Sequence, residues 1–440
     1  MHLQPNRTRR PIEHPLAPLY LACLIAAASA PAHALPSFAR QTGEECAACH
    51  VGSYGPQLTA HGMKFKLGGY TESDGKPGHV PLSGMLLANW THTKTDNPAP
   101  PDHFSGNNNL ALQEASVFLG GRLADHVGSF VQATYNGIDR VFGLDQMDLR
   151  YARSFDQDGK DLLFGVSLNN NPTVQDPFNT TATWRFPFTS SDLAPSPAVA
   201  PLIDGGLEQG VLGATAYALW DGSFYGELGG YRSMSASTIN KLGDEDVGKL
   251  KGTAPYWRLG YMKDLHKQMY AVGLFGLSAD LDPSRTPGAG YDKYRDIGVD
   301  GTWQYLGDRK NIYALHGSYT RERSTLDVTA PGTGKGRLTS LNLNASYTYD
   351  QTYGFTLGLF DTRGNGNAAL WNTVMGNNSP DSRGYIAQID WTPWGKEGSW
   401  NAPWANLRLG LQYTGYSKFD GTGVGAHDNN SLSLFAWTSF

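Results

Sequence analysis

Apolar and polar residues alternate at period two through most of this 440-residue chain, and few architectures accommodate that pattern over such a length. In 341–349, LNLNASYTY, residues Leu341, Leu343, Ala345, Tyr347 and Tyr349 share one face and Asn342, Asn344, Ser346 and Thr348 the other, because successive side chains of a strand point to opposite sides. Segment 407–414 repeats it, with Leu407, Leu409, Leu411 and Tyr413 opposite Arg408, Gly410, Gln412 and Thr414. About sixteen such segments can be counted, near 82–94, 110–122, 126–137, 142–154, 161–170, 209–219, 223–234, 253–264, 267–280, 293–306, 310–324, 337–349, 352–364, 382–394, 404–418 and 429–440.

Their connections alternate in length. Ala124 to His126, Trp220 to Gly222, Asp264 to Lys267, Gly307 to Arg309 and Asp350-Gln351 are tight, whereas 95–109, 171–208, 281–292, 325–336 and 365–381 are long. Short periplasmic turns and long external loops mark an outer-membrane barrel. The expected fold is therefore all-β: an antiparallel outer-membrane β-barrel of about sixteen strands over 82–440, wide enough for an aqueous lumen. A helical membrane protein is excluded, since mean hydropathy is −0.39 and no apolar run after residue 34 approaches the ~18 residues a spanning helix needs.

A soluble sandwich or propeller would also alternate, but two features argue for lipid. Trp391, Trp394, Trp400 and Trp404 bunch around one turn, as an interfacial girdle does. The chain closes on the strand SLSLFAWTSF, with Phe440 last, which resembles the terminal signal of bacterial barrel insertion. With the apolar face toward lipid, parity puts Glu114, Asp148, Arg150, Arg258, Asp300, His316 and Gln388 or Asp390 inside, where they are expected to solvate a pore.

The first 34 residues have another purpose. Arg7, Arg9 and Arg10 precede the apolar run LAPLYLACLIAAASA, which ends at Ala32-His33-Ala34, an A-x-A export signal expected to be cleaved after Ala34. Cleavage removes Cys23 and leaves Cys46 and Cys49 as the cysteines of the mature chain. It also removes three arginines and Glu13, taking 35 basic and 40 acidic residues to 32 and 39, an excess of acid that excludes nucleic acid as a partner.

Cys46, Cys49 and His50 form C-x-x-C-H, which serves redox dithiols, zinc sites and haem attachment alike. A redox dithiol calls for a strand before it and a helix after it, and residues 35–60 do not read that way. Zinc calls for four ligands, and a second cysteine pair is absent. Covalent haem is left: one haem c, with thioethers to Cys46 and Cys49 and His50 as proximal iron ligand. The haem segment, 35–71, is followed by a linker over 72–81. It is too short to bury a macrocycle alone, so it is expected to be helical and packed in or on the barrel lumen. His316 is not assigned to the iron.

The stretch LPSFARQTGEECAACH, followed by PQLTAHGMKFKLGGYT and then a barrel, resembles the fused monohaem cytochrome–porin family of bacterial outer membranes. Arg40, Gln41, Thr42, Gly43, Phe65, Lys66, Leu67, Gly69, Tyr70 and Thr71 fit the family's flanking pattern, while His61 and Met63 stand where that pattern has an aromatic and then a basic residue. The resemblance implies an outer-membrane protein that carries electrons from an extracellular donor, Fe(II), to a periplasmic cytochrome or other carrier, in the manner of an Fe(II) oxidase. The alternative is a substrate porin whose haem segment is a plug or redox-sensing gate. Met63 is favoured over His61 as distal ligand, because a thioether raises the potential. A lysine, a lumen residue or an open site are the other options.

Overall fold

The computed structural model describes residues 35–401 and 404–440. The expected export signal, with its cleavage site and Cys23, lies outside the described residues. The strands, in chain order, are β1 (Leu82–Thr93), β2 (Asn109–Ala124), β3 (Val127–Asn136), β4 (Val141–Gln157), β5 (Lys160–Asn169), β6 (Val211–Trp220) and β7 (Phe224–Ser233). After the two-residue β8 (Lys249–Leu250) come β9 (Ala254–Asp264), β10 (Gln268–Asp282), β11 (Asp292–Tyr305) and β12 (Asn311–Thr325). The last five are β13 (Lys335–Tyr349), β14 (Tyr353–Gly364), β15 (Ser382–Trp391), β16 (Asn406–Lys418) and β17 (Ser431–Ser439).

β8 is a stub on the end of β10. The other sixteen form a closed antiparallel barrel in which β1 pairs with β17. Each coincides with one of the sixteen alternating segments, with ends shifted by a few residues.

Alternation sorts the side chains as expected. Leu343, Leu359 and Ile389 expose 44%, 53% and 53% of their surface to the outside, while Thr356, Gln388 and Gln412 point in and are buried. An outer belt this apolar is stable only against lipid, which puts the protein in the bacterial outer membrane. Trp391, Trp400 and Trp404 are exposed together on one rim.

The interior departs from a solvated pore. Arg258 is buried and pairs with Asp300 at 2.5 Å and Asp176 at 3.0 Å, and Arg150 pairs with Asp148 at 2.8 Å, also out of water. Residues 170–181, part of an expected external loop, fold into the lumen; Val174, Asp176 and Phe178 are fully buried. The reason is electrostatic as well as apolar. This segment supplies Arg258 with a second carboxylate, Asp176, and Arg150 Nη2 with the Gln175 carbonyl, adding partners to two guanidinium groups buried inside the barrel.

The rest of the filling is the N-terminal segment, built of α1 (Pro36–Thr42), α2 (Cys46–Cys49) and α3 (Ala60–Leu67). It lies inside the barrel at the end carrying the short turns. There Arg309 Nη2 donates to the Ala47 carbonyl (2.8 Å), Gly52 N–H donates to Gln351 Oε1 (2.9 Å), and Ser53 Oγ to the Gly395 carbonyl (2.5 Å). This arrangement also predicts sidedness. Asp308→Cys, in a short turn, should resist a membrane-impermeant maleimide on intact cells, and Ala289→Cys, in a long loop, should react. The opposite labelling would invert the barrel.

Candidate functional site

The C-x-x-C-H motif occupies one helical turn, α2, and the chain folds back over it. Thr59 caps α3, accepting from Gly62 N–H through Oγ1 and donating that hydroxyl to the Ala48 carbonyl at 2.6 Å. α3 then crosses so near α2 that a Cβ on Gly62 would lie 2.3 Å from the Cys49 carbonyl oxygen, so only glycine fits. Several flanking residues of the motif have structural work. Gln41 Nε2 donates to the carbonyls of Tyr70 (2.8 Å) and Glu72 (2.6 Å), and its Oε1 accepts from Arg122 N–H (2.6 Å), joining α1 to both the segment's end and the barrel wall. Gly43 ends α1 at a φ of +73°.

Cys49 and His50 face a cavity of about 340 Å³ between the segment and the barrel, within the range of cofactor sites. Phe38, Phe65, Phe118, Phe130, Trp184 and Trp437 stand in its wall, together with the polar Glu114, Gln132, Asp145 and Gln146. Cys46 lies on the other side of α2, in a crevice beside Trp394 and Asn406. The cavity wall also carries Met85 of β1, 7% exposed and packed among Phe65, Tyr70, Phe118 and Phe130.

The expected distal candidates point elsewhere. Met63 is fully buried against Leu58, Phe178, Tyr217 and Met262, outside the cavity wall. His61 Nε2 is bonded to Glu44 Oε2 at 2.6 Å, on a half-exposed face of α3. Both do lie on one short helix, but it turns them away from the cavity. His316 contacts Gln57 Nε2 at 3.0 Å.

Electrostatics narrow what Cys49 and His50 can do. Burial pushes the Cys49 thiol up to about 12, with Glu44 and Glu72 adding to the shift. A redox dithiol needs the opposite, a lowered thiol. Burial holds His50 down to about 4, against a hydrogen bond to the Gly55 backbone and with the charge of Arg408 adding to the shift, so its imidazole is neutral at physiological pH, the form that binds a metal. Cys49, a neutral imidazole and a cavity with aromatic walls fit a haem, while Cys46 of the same turn faces the crevice beside Trp394. Glu44, Cys49 and His61 also bring one ligand atom each within 4.8 Å of one another, so Cys49 belongs to a second group with metal-ligand geometry.

Lys66 shows how tightly the cavity is framed. Its Nζ donates to the carbonyls of Val174 (2.8 Å) and Asp176 (2.7 Å) and to Asn179 Oδ1 (2.8 Å), and lies 4.8 Å from the Trp184 ring centroid. Burial and the nearby Arg150 pull it down to about 7, against the pull of Asp176 and Asp148. Its three acceptors make it a strut between α3 and the inturned loop.

No family model matches the chain, and no curated protein matches it. Solved structures do. OprB of Pseudomonas putida, in its high-pH structure, aligns at 13% identity over 82% of this chain and 93% of that one, with a TM-score of 0.51. The fold is that of a bacterial outer-membrane porin. The anion-selective porin from Comamonas acidovorans is similar at 12% identity, covering 81% and 98% of the two chains with a TM-score of 0.46. OmpF of Salmonella typhi, in complex with daunomycin, gives 12%, 82%, 97% and 0.45.

Proposed function

We propose that this porin-fold barrel is an outer-membrane monohaem cytochrome that moves electrons between an extracellular donor, Fe(II), and a periplasmic electron carrier. The observation that carries the reading is the seating of the C-x-x-C-H turn inside the barrel, with Cys49 and His50 facing an aromatic cavity. A bound haem would supply a one-electron acceptor and donor. Cys46 and Cys49 would hold it by thioethers, and His50, kept neutral by burial, would bind iron. The aromatic walls would keep water from the macrocycle, which raises its potential by disfavouring the ferric charge.

Met85 would be the residue to join His50 in holding the iron, because it is the methionine on the cavity wall and Met63 is not. The weak near-infrared charge-transfer band of ferric methionine-ligated haem is expected in the parent and in Met63→Ala, and should disappear in Met85→Ala. A band surviving in Met85→Ala would remove it from the iron.

Function itself is tested by stopped-flow mixing of purified protein with Fe(II). Rapid appearance of the reduced haem spectrum is expected, and a haem that stays ferric with excess Fe(II) at neutral pH would reject the donor. The second reading, a substrate porin with a redox-sensing plug, draws on the porin fold. It would leave Fe(II) inert and make solute flux depend on haem oxidation state.

A further inference from the structure

A cluster of unpaired hydrogen-bonding groups sits where the barrel wall meets the loop after His50. Arg408 of β16 is 7% exposed, and its Nε and Nη1 have no hydrogen-bond partner. Across the sheet it is paired in register with Trp437 of β17, whose indole Nε1 is also buried and unpartnered. Two residues on stands Ser439, and from the segment opposite comes Tyr54, whose ring meets Trp437 edge-on at 5.0 Å and whose hydroxyl lies within reach of Ser439 Oγ. Among the described residues, the carboxylate within ion-pair range of Arg408 is Asp390, at 3.8 Å from Nε, too far for a hydrogen bond, and it already accepts from Gln388 at 2.9 Å.

Buried guanidinium and indole N–H groups are nearly always bonded. Two unpartnered N–H groups on one arginine beside an unpartnered indole N–H, with the Tyr54 and Ser439 hydroxyls next to them, mark the place of an acceptor with several lone pairs and negative charge. Arginine offers a carboxylate parallel donors in a fixed fork, and tryptophan can only donate. The backbone makes room as well: Gly52 and Gly55 take φ of +73° and +89°, and a Cβ on Gly55 would come within 3.0 Å of Arg408 Nη1. Trp437, Ser439, Tyr54 and Gly55 all border the aromatic cavity that His50 faces. The fitting occupant has a broad apolar body and carboxylates at one edge.

We infer that Arg408, Trp437, Ser439 and Tyr54 form the seat for the propionate carboxylates of the haem. This rests on the haem reading above. The seat neutralises charge that would otherwise enter the barrel uncompensated, and its cation favours the reduced haem.

The test uses full-length protein with its haem: haem staining after denaturing electrophoresis, resonance Raman of the propionate bending modes, and the midpoint potential. Arg408→Gln should keep the stain, shift the bending modes and lower the potential, with Arg408→Lys restoring part of the potential. Trp437→Phe, which removes one donor and little volume, should shift the modes by itself and answers the question if Arg408→Gln fails to insert. Unchanged modes in stained Trp437→Phe and Arg408→Gln overturn the seat alone. No stain in the parent overturns the haem reading and the seat together.

Discussion

Cys46→Ala combined with Cys49→Ala is expected to abolish covalent haem completely while leaving the barrel in the outer membrane. Both thioethers of the proposed haem come from α2, and the described chain has no other cysteine to replace them. The substitutions remove one sulfur each and should spare the fold, because the segment is anchored elsewhere. Tyr70 donates its hydroxyl to Asp148 Oδ2 at 2.7 Å, Arg150 Nη1 donates to the Lys66 carbonyl at 3.1 Å, and Lys64 pairs with Asp264 at 3.1 Å. Peroxidase-type staining of a denaturing gel reads the haem, and surface labelling of a long-loop cysteine reads the barrel. A stained band from the double variant would sink the assignment.

The second large effect concerns conductance. In planar bilayers the parent should pass little current, because α3 and the inturned loop meet inside the lumen and bury Met63, Leu67, Val174 and Phe178 against its wall. Excising 35–71 should raise single-channel conductance by roughly threefold or more, since a 16-stranded barrel leaves an aqueous channel that residues 170–181 alone only narrow. A milder variant tests the same idea with the segment present. Arg150→Met leaves Asp148 buried without its cation, a loss of about 3–5 kcal/mol for a broken buried pair, and should give flickering openings. An open-porin conductance in the parent would instead favour the substrate-porin reading.

What could be read in advance follows from which interactions leave a period. Lipid on one side and strand geometry on the other imprint alternation, so all sixteen strands and the inward placement of Asp148, Arg150, Arg258 and Asp300 were legible. Their roles were not. Parity places a charge inside but does not name its partner, and Asp176 lies in a loop with no period, 82 positions from Arg258 by the numbering. Met85 was hidden for a related reason. In the run Met85-Leu86-Leu87 the inward residues are as apolar as the outward one, because they pack on the N-terminal segment instead of on water. The unpaired donors at Arg408 and Trp437 are a property of three-dimensional packing and leave no trace in composition or spacing.

Met85 and Trp437 stand on the first and last long strands, β1 and β17, so the chamber has its wall across the closing seam of the barrel. That contact joins residues separated by nearly the whole sequence, the kind that forms late. Until it forms there is no chamber. In the proposed reading the haem must already ride on residues 46–50 when the final strand docks, so attachment precedes closure in the order of manufacture. On that reading a haem sealed behind the seam would be neither exchanged nor repaired, and the working life of each molecule would be that of its haem.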